Sequence, residues 1–98
     1  MKTLEELRDE IDRIDDELIS LFEKRMNVVM EVAEYKYKNN LPVLNSVREQ
    51  AVLERGCNRL KNQELSESLM EWMKNTMTLS RHEQEKYLNK ISMMKIKS

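Results

Sequence analysis

The sequence predicts an all-α fold with three helices per chain and a long first helix. The chain has 98 residues, of which only one is glycine and one is proline, so little interrupts helical periodicity. Apolar residues recur at steps of three and four from Leu4 to Val32, the spacing that keeps side chains on one helix face. Charged residues make up 36% and hydrophobic residues 40% of the chain, a balance typical of one ordered helical domain.

The first helix is predicted from about Thr3 to Asn39. Thr3 is placed to cap it, and Pro42 with the residues just before it ends the helix, because the residue before a proline disfavours helical geometry. A helix of about 36 residues spans roughly 54 Å, which is too long for a compact monomer of this size. We therefore expect its apolar face to meet a partner chain. The apolar face consists of Leu4, Leu7, Ile11, Ile14, Leu18 and Leu21.

The second helix is predicted to begin near Asn45 or Ser46 and to end near Leu60. Ser46 and Glu49 have the S-x-x-E spacing of a capping box. Its expected buried face is Ala51, Val52, Cys57 and Leu60.

The third helix is predicted to follow a short connection at Lys61 to Leu65. Ser66 is its expected cap, and it runs to about Asn89. Residues 1–90 thus form the predicted helical domain, and residues 91–98 a flexible C-terminal tail. The expected apolar face of the third helix consists of Leu69, Trp72, Met73, Thr76, Met77, Ser80, Gln84 and Tyr87.

Composition argues against several classes of function. The net charge is −1 with both signs mixed along the chain, so no basic stripe favours nucleic-acid binding. No stretch is apolar enough to span a membrane, and the start lacks the apolar core of a secretion signal, which favours the cytoplasm. One cysteine, Cys57, and one histidine, His82, make a metal site or a disulfide unexpected.

Two cations lie within the apolar stripe of the first helix. Arg25 follows Leu4, Ile11 and Leu18 at a spacing of seven residues, and Lys36 follows Arg25 by eleven residues. On a helix, the directions of these two side chains differ by only about 20°, and their positions are separated by roughly 16 Å along the axis. They suggest an anion-binding pocket. The alternative is that both stems lie along the apolar face with their charges in water.

Further polar residues strengthen the pocket hypothesis. Arg48 falls in the first turn of the second helix, where a cation opposes the helix dipole unless it meets an anion. Ser80 and Gln84 place polar groups one turn apart on the apolar face of the third helix. Glu49 fits a helix cap and a binding site equally well.

The chain resembles the all-helical class of chorismate mutases. The resemblance covers nearly its whole length, through LRDEIDRIDDELISLFEKR, EVAEYKYKNNLPVLNSVREQ and the late S-R-x-x-Q from Ser80 to Gln84. It implies an intertwined homodimer in which one pocket is completed by Arg8 from the other subunit. Asn45 matches a position that is Asp in some members and is also a candidate substrate ligand. The residues implied for the pocket are Arg25, Lys36, Arg48, Glu49, Ser80 and Gln84.

The resemblance implies the rearrangement of chorismate to prephenate in phenylalanine and tyrosine biosynthesis, with no cofactor. Arginines bind planar carboxylates through two parallel hydrogen bonds, a role implied for Arg8, Arg25 and Arg48. Lys36 and Gln84 are the expected donors to the ether oxygen, on which negative charge accumulates in the transition state. Glu49 is expected to accept a hydrogen bond from the ring hydroxyl, and Ser80 to assist at a carboxylate or a nearby group.

Helix geometry also favours a shared site. Arg8 and Arg25 are seventeen residues apart, roughly 25 Å along one helix, so both cannot grip one small ligand unless an antiparallel partner supplies Arg8. Two alternatives remain open. One is a lyase that eliminates pyruvate from isochorismate on the same scaffold, and the other is a non-catalytic helical dimer with a regulatory role.

Overall fold

The computed structural model describes the backbone of residues 1–97 and the side chains of residues 1–94. Helix α1 spans Leu4–Lys38, α2 spans Ser46–Arg59 and α3 spans Ser66–Lys97, with a 3-10 turn at Gln63–Leu65 before α3. The described residues contain no strand. The predicted all-α architecture of three helices with a long first helix is confirmed.

The bounds of α1 follow the signals in the sequence. Thr3 is its N-cap, and its hydroxyl accepts a 3.2 Å hydrogen bond from the backbone N–H of Glu6. Lys38 is its last residue, and Asn40, just beyond it, adopts a φ of 55°. Asparagine tolerates this left-handed conformation better than most residues, so the chain turns here towards α2.

Asn45 caps α2, whereas the capping box of Ser46 and Glu49 is not formed. The Asn45 Oδ1 accepts a 3.0 Å hydrogen bond from the backbone N–H of Arg48. Ser46 is already the first helical residue, and the Glu49 side chain is bonded to Arg81 instead. The capping-box prediction was wrong because the preceding asparagine offers an equally good acceptor one residue earlier.

The start and the end of α3 both differ from the prediction. Ser66 is not the N-cap of α3, because it is the first residue of that helix and the C-cap of the 3-10 turn. Asn62 caps the start of the 3-10 turn by accepting a 3.1 Å hydrogen bond from the Glu64 N–H. The helix continues past Asn89 to Lys97, since neither glycine nor proline interrupts the segment. The predicted tail, residues 91–98, therefore begins inside the helix, and Ser98 lies outside the described residues.

The core lies where α3 packs against α1 and α2. Leu53 is the buried residue of α2, although Ala51 was predicted for that role and is exposed. Trp72, predicted on the buried face of α3, is 55% exposed. The buried apolar side chains among the described residues are Met26, Ala33, Leu53 and Met77.

The apolar stripe of α1 is largely uncovered within one chain. Leu7 is 44% exposed and Ile14 is 56% exposed. The chain measures 62 × 28 × 15 Å, and its radius of gyration of 17.5 Å exceeds the value of about 13 Å expected for a compact domain of this length. Over the described residues, no helix has the length and apolarity needed to cross a bilayer.

Candidate active site

A cavity of about 270 Å³ opens between α1, α2 and α3. Seven of the eight predicted site residues line it, and Arg8, far along α1, does not. Five valines and Met77 supply apolar walls between the polar groups. The predicted residues at the cavity are Arg25, Lys36, Asn45, Arg48, Glu49, Ser80 and Gln84.

Helix α1 contributes the two cations that were predicted from its stripe. Arg25 donates from Nη1 to the Ser80 Oγ at 2.5 Å, and Lys36 donates from Nζ to the Val43 carbonyl at 2.6 Å. Both side chains are half-buried. Each cation is therefore anchored by one hydrogen bond, while its remaining N–H groups can bind a ligand.

Arg48 of α2 and its N-cap residue Asn45 both line the cavity. Within the described residues the Arg48 guanidinium makes no hydrogen bond or ion pair, although its backbone N–H is capped by Asn45. A cation in a first helical turn is disfavoured unless an anion compensates it. Arg48 thus has the position and the unused donors of an anion ligand.

Helix α3 contributes two buried polar residues. Ser80 is 5% exposed and Gln84 is 6% exposed. Ser80 donates its proton to the Thr76 carbonyl at 2.8 Å and accepts from Arg25. The Gln84 Oε1 is buried with no hydrogen-bond partner among the described residues. An unpaired buried acceptor costs about 1–3 kcal/mol, so its presence at a cavity points to a ligand that engages this amide.

Arg81 is a cavity residue that the sequence analysis missed. Its Nη1 lies 2.5 Å from both carboxylate oxygens of Glu49, and its Nη2 lies 3.3 Å from the Thr78 Oγ1. The signal was present in the S-R-x-x-Q motif, where Arg81 follows Ser80 directly. A long side chain can turn back into a cavity from a neighbouring position.

The cavity is strongly cationic. Arg25, Lys36, Arg48 and Arg81 face one carboxylate, that of Glu49, which leaves a net charge of +3 if all five groups are ionised. A larger cavity, of about 600 Å³, lies between the C-terminal parts of α1 and α3, and no predicted site residue lines it. In the described part of the chain no three His, Cys, Asp or Glu side chains come together as a metal site would require.

Comparisons with known proteins agree on one family. The family sequence model described as chorismate mutase type II matches residues 7–85, a range that includes Arg8 and every residue lining the 270 Å³ cavity. The family resemblance noted in the sequence is confirmed. No solved structure matches the chain.

Relatives match over a short part of their own length. The T-protein of Haemophilus influenzae is 44% identical over 54 residues, which is 55% of this chain and 14% of that protein. A bifunctional chorismate mutase/prephenate dehydratase of Aquifex aeolicus is 42% identical over 55 residues, 56% of this chain and 15% of that protein. One of the same description from Buchnera aphidicola is 39% identical over 59 residues, 60% of this chain and 15% of that protein. The matched region is thus about one seventh of each relative.

Proposed function

Because the chain belongs to the chorismate mutase type II family, we propose that it rearranges chorismate to prephenate in phenylalanine and tyrosine biosynthesis. It acts as a cytoplasmic homodimer and uses no cofactor. The observation that carries the proposal is the gathering of Arg25, Lys36, Arg48 and Gln84 around one cavity. Residues 1–90 form the catalytic domain, since the last residue at this cavity is Gln84.

The substrate carboxylates are bound by arginines. Arg25 is held in place by Ser80, and Arg48 is uncommitted within the described residues. Arg8 of the partner subunit supplies a further guanidinium. Bidentate hydrogen bonds from the arginines to both carboxylates would hold the flexible enolpyruvyl arm over the ring. This lowers the entropic cost of reaching the reactive geometry.

Lys36 and Gln84 stabilise the breaking carbon–oxygen bond. One N–H of Lys36 reaches the Val43 carbonyl, which fixes the ammonium and leaves two donors for the ether oxygen. The Gln84 amide is buried and its oxygen is unpaired, so the amide can turn its NH₂ group towards the same atom. Donors that meet charge only as it develops lower the barrier more than they strengthen substrate binding.

Glu49, Asn45 and Ser80 complete the pocket. Glu49 accepts a hydrogen bond from the ring hydroxyl. The Asn45 Oδ1 is engaged by the helix cap, so its NH₂ group is the part that remains to contact substrate. Ser80 assists at a substrate carboxylate indirectly, because its hydroxyl oxygen accepts a hydrogen bond from the Arg25 guanidinium.

The homodimer is supported by the exposed apolar stripe of α1. Burying side chains such as Leu18, which is 45% exposed, stabilises association by about 25 cal/mol per Å² of apolar surface removed from water. Arg8 and Arg25 are separated by roughly 25 Å along α1, so Arg8 cannot serve the cavity of its own chain. An antiparallel α1 helix of a second copy would bring Arg8 of the partner subunit to that cavity.

Purified protein mixed with chorismate tests the proposal directly. We expect the chorismate absorbance to fall far faster than the spontaneous rate, with prephenate as the product. Lys36→Ala and Gln84→Ala should each lower turnover about 100-fold or more while the dimer stays intact. Lys61→Ala, at an exposed position in the α2–α3 connection, is the matched control. If no rate exceeds the spontaneous one, the proposal is rejected.

Two other outcomes would identify the alternatives. Pyruvate release from isochorismate, without rearrangement of chorismate, would favour the lyase on the same scaffold, since a lysine beside the ether oxygen serves that elimination too. Absence of any turnover in a dimer that co-purifies with a larger enzyme would favour the regulatory dimer. Chromatography of the products separates the first of these from the mutase.

A further inference from the structure

The Glu49 carboxylate is clamped by an arginine from another helix. Glu49 lies in α2 and Arg81 in α3, and one guanidinium nitrogen is 2.5 Å from both carboxylate oxygens. The side chains are 25% and 26% exposed respectively, so the pair is shielded from water more than a surface ion pair. The carboxylate is therefore held in one orientation.

The Arg81 guanidinium is also held by a second hydrogen bond within α3. Its Nη2 contacts the Thr78 Oγ1 at 3.3 Å, and that hydroxyl donates to the Lys74 carbonyl at 3.0 Å. The bonds of Thr78 stay within α3. Both terminal nitrogens of the guanidinium are thus engaged by protein atoms, in contrast to Arg48, whose guanidinium has no hydrogen bond among the described residues.

A free carboxylate in this cavity would oppose the binding of a dianion in two ways. It would repel the substrate carboxylates, and it could turn to neutralise Arg48 or Lys36, which line the same small space. Both effects are strong where water is partly excluded, because Coulomb interactions grow as the effective dielectric constant falls. A fixed counterion removes both while leaving the carboxylate its other lone pairs as acceptors.

We propose that Arg81 is a positioning residue for Glu49. It holds the carboxylate towards the substrate's ring hydroxyl, compensates its charge, and keeps it from competing for the cations that bind the dicarboxylate. Arg81 acts through Glu49 and does not bind the substrate itself. This inference rests on the proposed function, since it assigns a partner to a residue of the same site.

A double-mutant cycle tests the inference in the full-length dimer. Arg81→Met keeps the length of the side chain and removes its charge, and Glu49→Gln removes the charge of its partner. With chorismate as substrate, we expect Arg81→Met to lower kcat/KM about 10- to 100-fold in the wild-type background and less than about threefold in the Glu49→Gln background. Arg81→Lys should recover part of the loss, because it keeps the cation.

Controls separate positioning from folding. Arg55→Met removes an exposed arginine of α2 that does not line the cavity, and its kcat/KM should stay within about twofold of wild type. Thermal unfolding and sedimentation of every variant report folding and dimer formation. A loss of activity that tracks lost folded dimer, with no change per folded site, would overturn the inference.

The remaining outcomes are equally distinct. If Arg81→Met costs the same factor with and without Glu49, Arg81 acts independently of that residue, and the inference is wrong while the proposed function stands. If Arg81→Met retains wild-type activity, the inference is likewise wrong and the proposed function stands. Wild-type protein without any turnover of chorismate would overturn the proposed function and the inference together.

Discussion

Arg25 of α1 and Ser80 of α3 are joined by a 2.5 Å hydrogen bond whose direction is determined by a third group. The Ser80 hydroxyl donates its only proton to the Thr76 carbonyl at 2.8 Å, so only lone pairs are left to face the Arg25 guanidinium. The serine is therefore a fixed acceptor. It orients the arginine before any substrate arrives, which lowers the ordering cost of binding.

Removing this acceptor should weaken substrate binding more than it slows the chemical step. In Ser80→Ala the guanidinium loses a charge-assisted hydrogen bond of about 1.5–3 kcal/mol, part of which appears as a KM raised about 3- to 10-fold. Steady-state kinetics with chorismate measure it, and Ser92→Ala, at an exposed position of α3, is the control. An unchanged KM would contradict the orienting role.

Gln84→Leu should separate stability from activity. The buried Oε1 of Gln84 is unpaired within the described residues, so replacing the amide with an apolar group of similar size removes a desolvation cost of about 1–3 kcal/mol. We expect a melting temperature equal to or above that of wild type and turnover reduced about 100-fold or more. Calorimetry and a chorismate assay on one sample measure both. A destabilised variant with normal turnover would refute the assignment.

Mixed dimers should reveal which subunit supplies Arg8. Arg8→Ala and Lys36→Ala are each expected to be nearly inactive as homodimers. In a hybrid, one of the two sites combines an intact Lys36 with an intact Arg8 of the partner subunit. Random reassembly after co-refolding should therefore restore about a quarter of wild-type activity, by the statistics of a twofold dimer. Activity that stays at the level of the parent variants would show that Arg8 does not complete the site of the partner subunit.

A charge on the stripe of α1 should separate the subunits. Ile14 is 56% exposed within one chain, and Ile14→Glu would bury an unpaired carboxylate in the proposed dimer, at a cost of several kcal/mol. Light scattering should show monomers and the assay no turnover. Ser20→Glu, an exposed position on the polar side of α1, should leave both unchanged. Full dimerisation of Ile14→Glu would exclude this stripe as the interface.

Periodicity and capping chemistry predicted most of the fold. The steps of three and four in α1, its Thr3 cap and its end before Pro42 are local properties, readable without knowledge of tertiary contacts. The same periodicity placed Arg25 and Lys36 correctly on one face of α1 at the cavity. Local signals were ambiguous where two neighbouring residues offer equivalent acceptors, as Asn45 and Ser46 do at the start of α2.

Long-range partners could not be predicted from local pattern. Arg81 lies one residue from the stripe of α3, and only the packing of α2 against α3 shows that its flexible side chain reaches Glu49. Leu53 likewise is buried in α2, which packs against α3. The family resemblance supplied the set of candidate site residues, but it did not show which of them bond to one another in the folded chain.

The uncovered stripe of α1 has a consequence for how the protein must be handled. If two chains build each site, the rate per chain depends on total protein concentration and falls on dilution through the dissociation constant, even though no residue has changed. Added substrate, which binds only assembled sites, would pull separated chains back together. Specific activity then measures assembly as well as chemistry.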